Sequence, residues 1–288
     1  MKEFFIKNSL NLNINILEGS DIDNIKGIIL HIHGIGSHFQ PVYNSFDEFS
    51  NKSNFFSKHN YKSFALEFHG HGKSEGERCC INNFDDLLDD IDLTINYIQQ
   101  LYNQPLYLLS ESMGCAVVIK YCITRINNIK GVIFISPMCG VHESIKPNWV
   151  TIQILLSLAY FIPNIPLISS TKNLGQTVTK NKQYLKLKSK NKYFYTGKHR
   201  LCTGREIFNV TNWINENSHK FDTPILIFHS KEDTITDPII TKKFYNNIQS
   251  KNKKLYLLEN GSHCLFIKDY KDSILPQYVI NKILSWLM

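Results

Sequence analysis

With 288 residues, 43% of them hydrophobic and 12% aromatic, the chain can build one large core, or a core carrying an inserted lid; this composition excludes a disordered protein. The net charge of +7 is spread along the length, with mild lysine clusters at 180–192 and 251–254. Neither cluster has the aromatic interleaving or arginine forks of a nucleic-acid reader, so no nucleic-acid partner is expected; a weak attraction to anionic membrane surfaces or acidic substrates fits better.

The N-terminus, MKEFFIKNSLNLNINI, alternates polar and apolar residues without a continuous apolar stretch, and reads as strand and not as signal peptide. Two runs, 4–7 and 12–17, follow one another with no helix between them and predict an antiparallel hairpin at a sheet edge. A third run, 27–33, ends in His31-Ile32-His33-Gly34-Ile35-Gly36, whose glycines let backbone amides turn inward. Two histidines at this spacing could suggest a metal, but no carboxylate or third ligand stands at a recognised spacing. His33 is expected to brace the loop.

A helix-period segment over 46–59 leads to a strand at 63–68 and then to the glycine-rich Gly70-His71-Gly72-Lys73-Ser74-Glu75-Gly76. The latter lacks the glycine spacing of a phosphate loop and reads as a structural turn beneath the site. After a helix at 83–101, the apolar strand 105–110 runs directly into Glu111-Ser112-Met113-Gly114 and a helix over 113–125. Strand, tight turn and helix around a serine are the context of a nucleophile elbow. Ser110 occupies the position where glycine is usual, and serine is small enough to fit. The plainer alternative, Ser112 as a helix N-cap, leaves the strand before it and the partners after it unexplained.

A strand at 131–136 is followed by a stretch, about 138–221, that breaks the alternation. It holds an apolar helix candidate at 150–161, turn-rich Pro163, Asn164 and Pro166, a basic polar segment, and a helix near 205–217. No strand-like run is evident within it. It is read as a helical cap inserted between core segments 1–137 and 222–288. The apolar run 152–162 ends at Pro163, too short to span a bilayer.

Strand 224–230 precedes Lys231-Glu232-Asp233-Thr234, and strand 254–258 precedes Glu259-Asn260-Gly261-Ser262-His263, with helices at 238–248 and 273–287. The order serine, acid, histidine, each in a loop after a successive strand, is that of an α/β-hydrolase. Ser112 is therefore expected as nucleophile, His263 as general base and Asp233 as the acid that fixes the imidazole tautomer. Glu232 and Asp237 compete for the acid role, but Glu232 lies closer to the strand and Asp237, followed by Pro238, looks like a helix cap. The oxyanion requires two backbone N–H donors, assigned to Met113 and Ile35. Serine acyl transfer needs no metal or organic cofactor. Strands alternating with helices imply a mostly parallel central sheet flanked by helices on both faces, an α/β class fold.

Together the His33–Gly36 loop, the Gly70–Gly76 turn, the elbow Glu111–Gly114, the acid loop Asp233-Thr234-Ile235-Thr236-Asp237-Pro238 and His263 resemble the monoacylglycerol lipase and lysophospholipase group of α/β-hydrolases. Ser136-Pro137-Met138-Cys139 and Tyr195-Thr196-Gly197-Lys198-His199-Arg200-Leu201 are similar to the cap borders of its plant-type members. The resemblance implies hydrolysis of an ester bearing a single long acyl chain, with the apolar cap helix at the acyl entrance, touching a membrane or micelle. Ser110, and the lack of an arginine in Ser37-His38-Phe39-Gln40-Pro41, leave headgroup preference open. Parasite esterases that activate prodrugs are also similar, so a broad carboxylesterase or an acyltransferase is the alternative. An odd number of cysteines, seven, without zinc-site pairing, fits reduced thiols and a cytoplasmic protein, peripheral at membranes at most. A non-catalytic receptor of the same fold is the third reading, and the complete serine, acid and histidine set argues against it. Dehalogenases and epoxide hydrolases require a carboxylate where Ser112 stands.

Overall fold

The structure, a computed structural model, describes residues 2–39, 49–126, 128–168 and 178–288. In chain order its elements are β1 (Lys2–Lys7), β2 (Asn13–Glu18), β3 (Gly27–Ile32), α1 (Phe49–Ser57), β4 (Tyr61–Glu67), α2 (Asp85–Leu101), β5 (Leu106–Glu111), α3 (Met113–Thr124) and β6 (Ile129–Ile135). There follow α4 (Trp149–Phe161), β7 (Pro166–Ile168), α5 (Lys182–Lys190), β8 (His199–Arg200), α6 (Leu201–Asn217), β9 (Ile225–Ser230), α7 (Pro238–Asn247), β10 (Lys253–Leu258) and α8 (Leu275–Leu287). Residues 46–48 of the expected first helix lie outside the described residues.

Eight strands form one sheet in the order β1-β2-β4-β3-β5-β6-β9-β10. β1 pairs antiparallel with β2, and β2 with β4; the remaining neighbours are parallel. The expected edge hairpin and the mostly parallel α/β-hydrolase sheet are both present. Period-two alternation divides the strand side chains between two cores. Leu30 and Ile32 of β3 join Leu87 and Ile91 of α2 and Val117 of α3 on one face, while Ile29 joins Phe56 of α1 and Val279 and Ile283 of α8 on the other. Because both faces are covered, β3 and β4 are buried at every position; this explains the nearly continuous apolar run of β3, while β4 buries Lys62, Ser63 and Glu67 beside its apolar residues.

The chain leaves β3 toward β4 on one side and later returns to β5 on the other. Such a reversal opens a crevice at the carboxyl ends of the strands. The loops carrying Gly34, Ser112, Asp233 and His263 all leave the sheet at that edge, from β3, β5, β9 and β10.

Between β6 and β9 the structure corrects the sequence reading. β7 and β8 pair antiparallel, Pro166 opposite Arg200 and Ile168 opposite His199. Strands of three and two residues are too short to display an alternating pattern. The basic segment holds α5, whose N-cap Asn181 accepts the Tyr184 N–H and whose one buried residue is Tyr184. Lysine is a good helix former, but a single buried residue gives no apolar stripe to read. The helix near 205–217 starts earlier, at Leu201. α4 exposes Trp149, Val150, Ile154, Tyr160 and Phe161, and Ala159 is its buried residue. Among the described residues no helix is long and apolar enough to cross a membrane.

Candidate active site

Ser112 sits between β5 and α3 with φ 52° and ψ −118°, a conformation that L-residues rarely hold. The surroundings enforce it. Its N–H donates to the Ile135 carbonyl at 3.0 Å, and its carbonyl accepts from Met138 N–H at 3.1 Å and Cys115 N–H at 3.0 Å. Gly114 explains why the second glycine of the elbow is retained: a Cβ there would lie 2.6 Å from the His33 carbonyl oxygen and 2.9 Å from Ile32 Cγ2. At the first position Ser110 is accommodated, fully buried, with its hydroxyl 3.4 Å from Cys115 Sγ.

The loop after β3 packs directly on the serine. A Cβ added to Gly34 would stand 2.9 Å from Ser112 Cβ. His33 braces this loop: its Nδ1–H donates to the Gly34 carbonyl at 2.7 Å, leaving Nε2 to accept the Phe68 N–H at 3.2 Å. Burial pushes its pKa down to about 3, so both contacts belong to a neutral ring. His31 turns instead to Ser63 Oγ at 3.3 Å, so the two histidines serve separate partners. The turn below is anchored by buried Glu67, which accepts N–H groups from Phe39 at 2.8 Å and Lys73 at 2.7 Å. Ile35 follows Gly34 in the loop facing Ser112, and Met113 opens α3, where backbone N–H groups have no acceptor within the helix.

Of the three carboxylates after β9, Asp233 reaches His263. Its Oδ2 accepts from His263 Nδ1 at 2.7 Å. Asp237 is used as N-cap of α7, accepting from Ile239 N–H at 2.7 Å, and Glu232 accepts the Asn260 N–H at 2.9 Å. The His263–Asp233 contact places a proton on Nδ1, the ring nitrogen that faces the carboxylate. Asp233 is 1% exposed and collects four further bonds: Ile235 N–H at 2.8 Å and Thr236 N–H at 3.2 Å on Oδ1, Thr236 Oγ1 at 2.9 Å and His229 Nε2 at 3.1 Å on Oδ2. Burial alone would raise its pKa, but the charge of His263 and the bonds from His229 and His263 outweigh it and hold the carboxyl well below the usual carboxylate range. The His263 carbonyl is tied to Ser136 Oγ at 2.7 Å, anchoring the histidine loop to the end of β6.

Two members of this arrangement escaped the sequence reading. Thr236 looked like one more loop residue. His229 follows four apolar residues in the wholly buried β9, four positions before Asp233; a polar side chain at the end of that run was the available signal.

Residues 23–269 match the family described as serine aminopeptidase, S33. Caffeoylshikimate esterase of Arabidopsis thaliana is 28% identical over 274 residues, covering 91% of this chain and 78% of that protein. Monoglyceride lipase of Rattus norvegicus is 25% identical over 268 residues, covering 91% and 82%. The solved structure of a soluble variant of monoglyceride lipase from Saccharomyces cerevisiae, in complex with a substrate analog, superposes with a TM-score of 0.82 at 20% identity, covering 99% of this chain and 94% of that one. The family match spans most of the chain and includes the elbow, the acid loop and His263, and the chain therefore belongs to the serine aminopeptidase, S33 family of α/β-hydrolases and is a hydrolase.

Proposed function

We propose that the protein cleaves the carboxylic ester of a single-acyl lipid, a monoacylglycerol or a lysophospholipid, through an acyl-enzyme on Ser112. In this reading His263 Nε2 takes the Ser112 proton as Oγ attacks the ester carbonyl, and Asp233 stabilises the imidazolium through Nδ1. The Ile35 and Met113 N–H groups receive the developing oxyanion, each contributing about 3 kcal/mol to the barrier reduction. His263 then protonates the leaving alcohol, and water repeats the sequence to release the fatty acid.

The observation that carries the lipid assignment is the exposed apolar face of α4. Trp149, Tyr160 and Phe161 are each more than 70% exposed, and Ile162, Ile165 and Leu167 extend the surface beyond the helix. A soluble protein rarely leaves so much apolar area uncovered unless it meets a lipid or a partner. Residues 138–221 are proposed as a cap whose apolar face rests transiently on a membrane or micelle while one acyl chain enters. The names of the rat and yeast lipases support the same substrate class. A broader carboxylesterase is the second reading, favoured by the higher identity to caffeoylshikimate esterase.

The test compares wild type and Ser112→Ala on monoacylglycerols, lysophospholipids and short soluble esters. Long-chain monoacyl substrates are expected to be preferred and Ser112→Ala to be inert. Normal hydrolysis by Ser112→Ala overturns the acyl-enzyme, and a peak at short or aryl esters moves the assignment to the carboxylesterase.

A further inference from the structure

The residue immediately before Ser112 is Glu111, the last of β5, and its carboxylate pairs with the ammonium of Lys52, which arrives from α1. The Lys52 side chain is 1% exposed and that of Glu111 22%. An ammonium taken out of water to this extent is costly unless it is matched, so the pair is a demanding feature of the fold. Lys52 Nζ also stands 4.5 Å from the centroid of the Phe266 ring and 5.9 Å from that of Phe39, within cation–π range. Phe266 is buried and follows His263 by three positions, in the apolar cluster that holds Leu265 and Val279. A single cation thus touches the strand end that carries Ser112 and the segment that carries His263.

We propose that Lys52 and Glu111 form a positioning pair that sets the Ser112 elbow and the His263 loop relative to each other and keeps the charge beside them balanced. The proposal rests on the reading of Ser112 and His263 as nucleophile and base; neither Lys52 nor Glu111 touches the reacting atoms in it. An ion pair with an aromatic ring against its cation accepts few geometries, and it spans two loops that come from different strands. Its second effect is electrostatic. Among the described residues, the charged and titratable groups facing this centre include Asp233 on His263 Nδ1, His229 behind Asp233, His31 of β3 facing Lys52, and the pair itself. With both partners present the pair adds no net charge. Without Lys52 a carboxylate next to the elbow favours imidazolium, and without Glu111 a buried ammonium opposes it.

The experiment measures the pH dependence of kcat/KM on a short soluble ester, and the rate of fluorophosphonate labelling, for Lys52→Met, Glu111→Gln, the double variant, Lys52→Arg and Ser112→Ala. Lys52→Met is expected to move the acid limb up, and Glu111→Gln down, by about half to one pH unit. The double variant should return to within roughly 0.2 of the wild-type limb, and Lys52→Arg should keep it, because each restores charge balance. Each single neutralisation should lower kcat about tenfold with KM changed less than about twofold, as expected for misplaced groups and not for lost binding. Wild-type limbs in all variants, or both single variants displaced in the same direction, overturn the proposal. Should Lys52→Met fail to fold, the downward shift in Glu111→Gln and its reversal in the double variant decide the matter; should neither of these fold, Lys52→Arg decides it, a wild-type limb and kcat supporting the pair and a shifted limb overturning it. Hydrolysis by Ser112→Ala marks failure of the underlying site reading, whereas an inert Ser112→Ala with unshifted limbs marks failure of the pair alone.

Discussion

Asp233→Asn places one oxygen and one NH2 group where the carboxylate now accepts five hydrogen bonds. Two of the five come from the Ile235 and Thr236 backbone on Oδ1, and a backbone cannot reverse its donors. The amide oxygen is therefore held at Oδ1, and the new NH2 faces His263 Nδ1, Thr236 Oγ1 and His229 Nε2 at the positions now 2.7, 2.9 and 3.1 Å from Oδ2. His263 can meet an NH2 group only by presenting Nδ1 as acceptor, which moves its proton to Nε2 and removes the base. A loss in kcat of about 10⁴, or roughly 5.5 kcal/mol, is expected on that account. Stability should fall by about 3 kcal/mol, because hydrogen bonds to a buried charge are exchanged for opposed donors. The folded pKa of Asp233 lies below its unfolded value of about 3.9, so its contribution is present above that value and is lost as pH falls through the folded pKa. The gap between wild type and variant should thus be constant above about pH 5 and narrow below about pH 4. Steady-state kinetics, fluorophosphonate labelling and urea melts at several pH values measure all three quantities. A loss below about 100-fold, an equal catalytic loss in Glu232→Gln or Asp237→Asn, or a gap that widens on acidification refutes the reasoning.

Ser112→Gly should abolish hydrolysis yet stabilise the fold by about 1 kcal/mol relative to Ser112→Ala, because φ 52° and ψ −118° suit glycine; a lower urea midpoint for the glycine variant would contradict this. Gly114→Ala pushes a methyl to 2.6 Å from the His33 carbonyl, and is expected to cost about 2–3 kcal/mol and lower kcat about 100-fold; a wild-type melting curve would show that the elbow yields freely. Burial lowers the pKa of His33 and His38 to about 3 and holds those of His31 and His71 well below normal. The unfolded chain then binds more protons between about pH 6.5 and 3, so stability is full above that window and declines as pH falls, by up to about 1.4 kcal/mol per pH unit for each histidine. Urea melts at pH 7.5, 6 and 5 check it, and equal stabilities at the three would count against the assignment of neutral rings.

The strands of the main sheet are legible because each contains a short apolar run between turn residues; in β3, β6 and β9 burial on both faces makes the run nearly continuous, whereas β1 and β10 at the sheet edges are partly exposed. The elbow was legible for a related reason: strand, turn and helix are adjacent in sequence, and the small residue that the turn demands is Gly114. Pairings that join distant segments left weaker marks. β7 and β8 lie thirty residues apart and are too short for a pattern, while α5 shows a row of lysines around one buried tyrosine.

The candidate site divides along the same line. Choosing Asp233 over Glu232 and Asp237 needed only the offset from β9 and the proline after Asp237, both local features. That His229 bonds the far side of the same carboxylate, or that Lys52 of α1 reaches the residue before Ser112, depends on contacts that no spacing encodes. The sequence does carry the anomaly itself: His31, Ser110 and His229 are polar residues that interrupt or end apolar strand runs, and Lys52 lies close to two phenylalanines, Phe55 and Phe56. A buried polar group is tolerated only with a partner, so each anomaly announces a contact without naming it. For His31 the contact is a brace at Ser63. For His229 and Lys52 it leads to Asp233 and Glu111, the residues that hold the proposed base and adjoin the proposed nucleophile.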